Sequence, residues 1–193
     1  MSESADNPLR AEKRKKLMQL REKGINPFPY SFAKNAYTAD LVKDFSHLVA
    51  GEKKIETHFS IAGRLMTQRL MGKAVFFNVQ DQFGTLQVYA KLEEMPPQQR
   101  AAFDLVDIGD IIGVKGYIFK TQKGELSLYC QHFEILTKTL EPLPEKFHGV
   151  QDVEIKYRHR HLDLITDPDS RKVFETRSKI IREIRRWLDD RGF

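Results

Sequence analysis

Between His58 and Thr137 apolar and polar residues alternate with a period of two, in five separate runs. A chain patterned in this way is committed to half-buried strands, because successive side chains on a strand point to opposite faces. The runs are Phe59 to Leu70, Ala74 to Gln80, Thr85 to Leu92, Ile111 to Lys120 and Glu125 to Leu136. The turn-forming stretches MGK, DQFG and QKG punctuate them. Between the third and fourth runs lies PPQQRAAFDLVD, which starts after a proline and reads as a short helix.

Five strands with a helix inserted between the third and fourth follow the order of an OB-fold barrel, whose second and third strands present a face to oligonucleotides. Helical patterns flank this core. Asn7 as N-cap, Pro8 as first helical residue and Gly24 as stop predict a helix over Pro8 to Lys23, with Leu17 and Leu20 on one face. From Arg10 to Lys23 it carries seven basic and two acidic residues. With so thin an apolar stripe, it reads as a helix that lies on something rather than a buried one. Its cations, Arg14 and Lys15 among them, are candidates for RNA contact, the other reading being a solvated face.

INPFPYSF must be an extended connector. Thr38 then reads as the cap of a second helix, with Leu41, Val42, Phe45, Leu48 and Val49 on one side and Gly51 ending it. After the strands, LEPLPEKFHGVQ reads as a linker and VEIKYRHRHLDLI shows no sustained period. Asp167 and Pro168 open a last helix, in which Val173, Arg177, Ile180, Ile181, Ile184, Trp187 and Leu188 recur at helical spacing. That stripe has no following element to cover it, which implies an interrupted domain, a dimer partner, or both. The expected class is mainly β with helical extensions (α+β). Residues 1–57 form an N-terminal helical extension, 58–140 the barrel, 141–168 a linker and 169–193 the start of a further domain.

Composition removes several classes of function. The net charge of +5 over 193 residues favours a polyanionic partner without identifying one. Cys130 is the single cysteine, so neither an internal disulfide nor a multi-cysteine zinc site can form, and the cytoplasm is the default location. No apolar run approaches membrane-spanning length, so no membrane partner is expected. His159 and His161 alternate with arginines and have no carboxylate at ligand spacing, so no metal is assigned. Gly109, Gly113 and Gly116 sit in a strand pattern and mark a bend or bulge rather than a phosphate loop. No Ser/His/Asp grouping or carboxylate pair has the spacing that would argue for nucleophilic or acid–base catalysis.

The strand parity singles out one surface. If Val75, Phe77 and Val79 point inward, Phe76, Asn78 and Gln80 point outward. The same parity turns Thr85, Gln87 and Tyr89 out on the third strand and Glu125, Ser127 and Tyr129 out on the fifth, leaving Cys130 in the core. Arg64, Arg69, Lys73 and Lys115 would rim this face. An aromatic ring to stack a base, amide and carboxylate groups to read base edges, and cations for phosphates together suit single-stranded nucleic acid. The alternative for Phe76 is ordinary cross-strand packing against Tyr89.

The stretches GRLMTQRLMGKAVFFNVQD, FKTQKGELSLYC, LTKTLEPLPEKFHGVQDVEIKYRHRHLDLI and RSKIIREIRRWLDDRGF resemble the bacterial-type lysyl-tRNA synthetase family. The first is shared with the aspartyl and asparaginyl enzymes of the same class II subgroup, whereas the second and third look specific to the lysyl type. The resemblance implies that the barrel is an anticodon-binding domain, that the basic helix assists tRNA binding, and that the last helix is motif 1, a dimer element. It implies that Phe76 stacks on an anticodon base, that Gln87 and Glu125 hydrogen-bond anticodon bases, and that Arg69 is a basic anticodon contact. Parity alone does not place Arg69, since the first strand would have to bulge or end near Thr67 to turn it outward. Gln68, where relatives often carry a basic residue, Lys73 and Asn78 are further contact candidates, and Ile180, Ile184 and Trp187 are candidates for a homodimer interface.

The family reaction joins L-lysine to tRNA(Lys) at the expense of ATP, with Mg2+. The resemblance places those ligands on motifs 2 and 3, which these 193 residues lack, so no cofactor and no activity are expected of this stretch alone. Two alternatives stand beside this reading: a free-standing OB-fold protein that binds single-stranded nucleic acid, and a dimerisation module.

Overall fold

The computed structural model describes residues 8–144 and 152–193, in two compact units divided after Pro142. The first holds α1 (Pro8–Glu22), α2 (Thr38–Phe45), β1 (Lys53–Met71), β2 (Ala74–Gln80), β3 (Thr85–Lys91), α3 (Pro97–Phe103), β4 (Ile111–Lys120) and β5 (Leu126–Thr137). The second holds α4 (Val153–Arg158), α5 (Arg160–Thr166) and α6 (Pro168–Asp189). The residue expected to cap α1, Asn7, lies outside the described residues, as do residues 145–151 of the expected linker.

The five strands close into a barrel in the order β1-β2-β3-β5-β4. Every pairing is antiparallel except that of β3 with β5, where Gln87, Val88 and Tyr89 run parallel to Ser127, Leu128 and Tyr129. The inward sets predicted from alternation are the core: Val75, Phe77 and Val79 face Leu86, Val88, Ala90, Leu128 and Cys130, all buried. α3 adds Phe103, whose ring lies 5.7 Å from Phe77 and 5.1 Å from Phe133. Two of the strand glycines are explained by close approach. At Gly116, beside a bulge in β4, a Cβ would come within 1.7 Å of the Tyr129 carbonyl oxygen, and at Gly113 it would strike the Phe32 ring.

Several sequence expectations need correction. β1 begins at Lys53, six residues before the alternation becomes regular. α2 ends at Phe45, so Val42 and Val49 are exposed while Leu41 and Leu48 are buried. Thr38 is its first residue rather than its cap; the Thr38 amide and hydroxyl both donate to the Asp81 carboxylate, each at 2.8 Å. A tertiary contact 43 residues away has replaced the local one. α1 is docked on the barrel unit, with Leu17, Leu20 and even Lys13 buried. Lys13 donates to the Ile108 carbonyl at 3.3 Å and Lys16 to Asp107 at 2.5 Å, so cations do much of the anchoring that its thin apolar stripe cannot.

VEIKYRHRHLDLI is helical after all, in two pieces of six and seven residues, each too short to show a period. Asp163 is fully buried there and accepts from Arg160 at 2.7 Å. The Arg160 guanidinium also lies over the rings of Tyr157 and Phe174. α6 opens as expected, the Asp167 carboxylate accepting from the amides of Asp169 and Ser170.

Candidate nucleic-acid interface

The outer surface of β1, β2 and β3 owes its composition to one irregularity. β1 pairs Leu65 with Val79 but then Thr67 with Asn78, so its register slips by one residue between them. Such a bulge reverses the side-chain parity of everything after it. Leu65 therefore points into the core, while Arg69, paired with Phe76, joins the outer face. This is the bulge that strand parity required before Arg69 could be placed.

The result is a cleft of about 730 Å³. β1 contributes Thr67, Gln68 and Arg69 to its lining, β2 contributes Phe76 and Asn78, β3 contributes Gln87, and the β4–β5 turn contributes Glu125. Four separate chain segments thus bring the expected residues together. Met71, Thr121, Gln122 and Lys123 also line the cleft and were not anticipated, because MGK and QKG read only as turns.

That turn is tightly built. Gly124 has φ 83°, a left-handed conformation that glycine adopts without strain. The Gly124 amide donates to the Thr121 carbonyl at 2.9 Å, the Thr121 amide donates to the Glu125 carbonyl at 2.9 Å, and the Glu125 amide donates to the Thr121 hydroxyl at 3.0 Å. The Glu125 backbone is held from both sides while its carboxylate has no partner among the described residues. The half-buried Phe76 ring, also in the cleft lining, lies 4.9 Å from Tyr89, tilted by 54°. Packing on Tyr89 and exposure to the cleft coexist. Gln87 donates through Nε2 to the Ser127 hydroxyl at 2.7 Å. Ser127, turned outward by parity, is nonetheless completely covered.

The expected cationic rim is thinner than strand parity suggested. Arg64 donates to the Gly109 carbonyl at 2.6 Å and is half withdrawn from water, which pushes its guanidinium pKa down in spite of Asp110. Lys73 pairs with Glu93 at 2.5 Å, and Lys115 sits over the Phe32 ring. Arg14 and Lys15 are exposed on α1 and do not line the cleft. Arg69 and Lys123 are the cations that do.

Beyond Phe76 an aromatic run continues around the barrel through Tyr89 and Tyr129 to Tyr117, whose ring stacks on Tyr129 at 4.9 Å. The Tyr129 hydroxyl donates to Glu94, which also accepts from Lys91 at 2.7 Å. Burial, and then that hydrogen bond, push the Tyr129 phenol up to about 12. Cys130 lies beneath, its thiol raised to about 12 by burial. We therefore expect iodoacetamide at pH 8 to leave Cys130 unmodified in the folded protein and to label it fully in urea, read by mass; rapid labelling of the folded chain would contradict its placement in the core.

In the second unit, the apolar stripe of α6 is exposed at Ile180, Ile184 and Trp187. Val173, Ile180 and Ile181 line a shallow groove along it with Lys172 and Arg177, and the Arg191 guanidinium covers Trp187 at 3.8 Å.

Comparison with known proteins agrees with this division of the chain. A family model described as an OB-fold nucleic acid binding domain matches residues 59–136, and one for class II tRNA synthetases (D, K and N) matches residues 152–193. A lysine–tRNA ligase of Staphylococcus saprophyticus is 46% identical over 196 residues, covering 100% of this chain and 39% of that protein. A lysine–tRNA ligase of Bacillus cereus is 48% identical over 184 residues, covering 94% of this chain and 36% of its own length. The chain thus spans less than two fifths of the curated relatives it matches.

Proposed function

Because the chain belongs to the lysine–tRNA ligase family, we propose that its barrel holds the anticodon loop of tRNA(Lys) for an enzyme that joins L-lysine to that tRNA in the cytoplasm. The observation that carries this reading is the cleft, in which Arg69, Phe76, Gln87 and Glu125 line one surface although they come from four segments of chain. Each supplies a different part of single-strand recognition. The Phe76 ring offers a stacking surface to a splayed-out base, Gln87 and Glu125 offer hydrogen-bonding groups to base edges, and Arg69 offers a cation to the backbone. An unpaired carboxylate in an RNA cleft repels phosphates, so Glu125 makes sense there only if a base donor meets it.

Gln68 and Asn78 line the same cleft and extend the contact, while Arg14 and Lys15 on α1 would meet phosphates elsewhere on the tRNA. The exposed Ile180, Ile184 and Trp187 of α6 would be covered by a second copy of the chain in a homodimer. ATP and Mg2+ serve the complete enzyme. Among the described residues no group of three His, Cys, Asp or Glu side chains gathers to hold a cation. Among the described residues no helix is long and apolar enough to cross a membrane. The free-standing OB-fold reading is the weaker one because residues 152–193 match a synthetase model.

The test is a titration at fixed salt, since phosphate contacts depend steeply on it. A labelled anticodon stem-loop that reads lysine codons is compared with one changed only at the central base. We expect a preference of roughly tenfold or more, about 1.4 kcal/mol. Equal affinity for the two would remove anticodon reading from this cleft.

A further inference from the structure

We infer that Ser127 is a positioning residue that fixes which end of the Gln87 amide faces the cleft, and thereby sets the choice between uracil and cytosine. The inference rests on the anticodon-binding reading above and deepens it. Ser127 sits on the outer side of β5 by parity, directly opposite Gln87 in the parallel ladder that joins β3 to β5. Its relative exposure is nevertheless 0%, so it touches no ligand itself. A buried hydroxyl must find partners, and this one has two. It accepts from Gln87 Nε2 at 2.7 Å and donates to the Glu125 carbonyl at 3.4 Å.

The direction of that relay follows from the inventory of a serine hydroxyl, which has one proton and two lone pairs. With its proton turned to Glu125, Ser127 has only lone pairs for Gln87, so the amide must show it nitrogen. Among the described residues Gln87 makes no other side-chain hydrogen bond. Its Oε1 is then the acceptor available on the cleft wall, on the same face as Phe76. The serine also ties the Gln87 side chain to the backbone of Glu125, so the two segments proposed to read bases meet at one buried hydroxyl.

The consequence is chemical selectivity. Uracil carries a donor at N3, whereas cytosine carries an acceptor at the same position. A fixed acceptor on Gln87 welcomes the first and opposes the second, and a polar site left mismatched is a strong source of discrimination. An amide freed from Ser127 can turn over and offer its NH2 group to cytosine, so losing the serine should cost selectivity before affinity.

The test titrates stem-loops bearing uridine or cytidine at the central anticodon position against the wild type, Ser127→Ala, Gln87→Met and the double variant, at one salt concentration. We expect Ser127→Ala to reduce the uridine-to-cytidine affinity ratio by about fivefold, the equivalent of the roughly 1 kcal/mol of a neutral hydrogen bond. Gln87→Met should lose at least as much, and the double variant no more than Gln87→Met alone. A wild-type ratio in Ser127→Ala, or an additional loss in the double variant, overturns the inference while leaving anticodon binding intact. A wild type that does not distinguish the two stem-loops removes the anticodon reading itself, and this inference with it. Should Ser127→Ala not fold, nuclear Overhauser contacts between the Gln87 side-chain amide and the Ser127 Hβ protons in the wild type decide the matter, their absence counting against it.

Discussion

Replacing Lys138 by alanine is expected to reduce the unfolding free energy of the barrel unit by about 3–5 kcal/mol, the usual effect of removing one partner from a buried ion pair. Its side chain is 0% exposed, and its ammonium donates to Asp107 at 2.5 Å, Asp110 at 2.8 Å and the Leu105 carbonyl at 3.0 Å. All three of its protons are used. Without it, the equally buried Asp110 keeps a negative charge that no other cation among the described residues neutralises by contact. Nor would an apolar swap of both partners be neutral here. Asp110 also accepts the amides of Asp107 and Thr139, each at 2.8 Å, and these would be orphaned. Urea denaturation followed by tryptophan-independent far-UV signal would show the shift in midpoint. A loss below about 1 kcal/mol, the range of a surface pair, would mean that the pair is wet.

The same cluster sets a pH dependence. Burial alone would raise the pKa of Asp107, but the hydrogen bonds from Lys138 and Lys16 outweigh it and hold the carboxyl below its ordinary value. A carboxylate depressed in the folded state stabilises fully above its unfolded pKa, about 3.9, and ceases to do so as pH falls through the folded value. Acid should therefore unfold the barrel unit and release α1 together, because Lys13 and Lys16 reach the barrel through this same loop. In Lys138→Ala the midpoint of acid unfolding should move to higher pH.

This cluster shows where reading the sequence stops. The strands were legible because period two persists over seven or more residues, and parity then placed Phe76 and Gln87 on the outer face without any contact information. Arg69 was legible only conditionally, since a one-residue slip in β1 decides its side and leaves no mark in the alternation. Lys138 and Asp110 stand 28 residues apart, one after a strand and one before, and look like ordinary loop polars. Their meaning is tertiary, as is that of Thr38, which looked like a cap and bonds Asp81 instead. Ser127 failed in the opposite sense: its parity was right, but it is fully buried beneath a hydrogen bond from Gln87, and burial on an outer face cannot be inferred from alternation. α4 and α5 fell below the length at which a helical period can be seen.

Phe76→Ala should weaken binding of the lysine anticodon stem-loop by about 1–3 kcal/mol, the range for loss of one stacking ring. That is roughly 5- to 150-fold in affinity. The complication is that Phe76 also packs on Tyr89 at 4.9 Å, a pair that contributes about 0.5–1.5 kcal/mol to stability beyond its area. A weaker complex could then reflect a loosened wall. Phe76→Leu separates the two, because leucine fills much of the space against Tyr89 but offers a base no aromatic face. If the ring stacks on RNA, leucine binds nearly as poorly as alanine while unfolding close to wild type. If the ring is only a packing element, leucine restores both. Salt provides an independent check: Phe76 carries no charge, so its loss should leave the slope of log affinity against log salt unchanged. Arg69→Ala should flatten that slope by about 0.7, the value for one phosphate contact on a single strand. Only a base stacked in the cleft predicts both the failure of leucine and the unchanged slope, and it is the joint outcome that separates base reading from electrostatic capture.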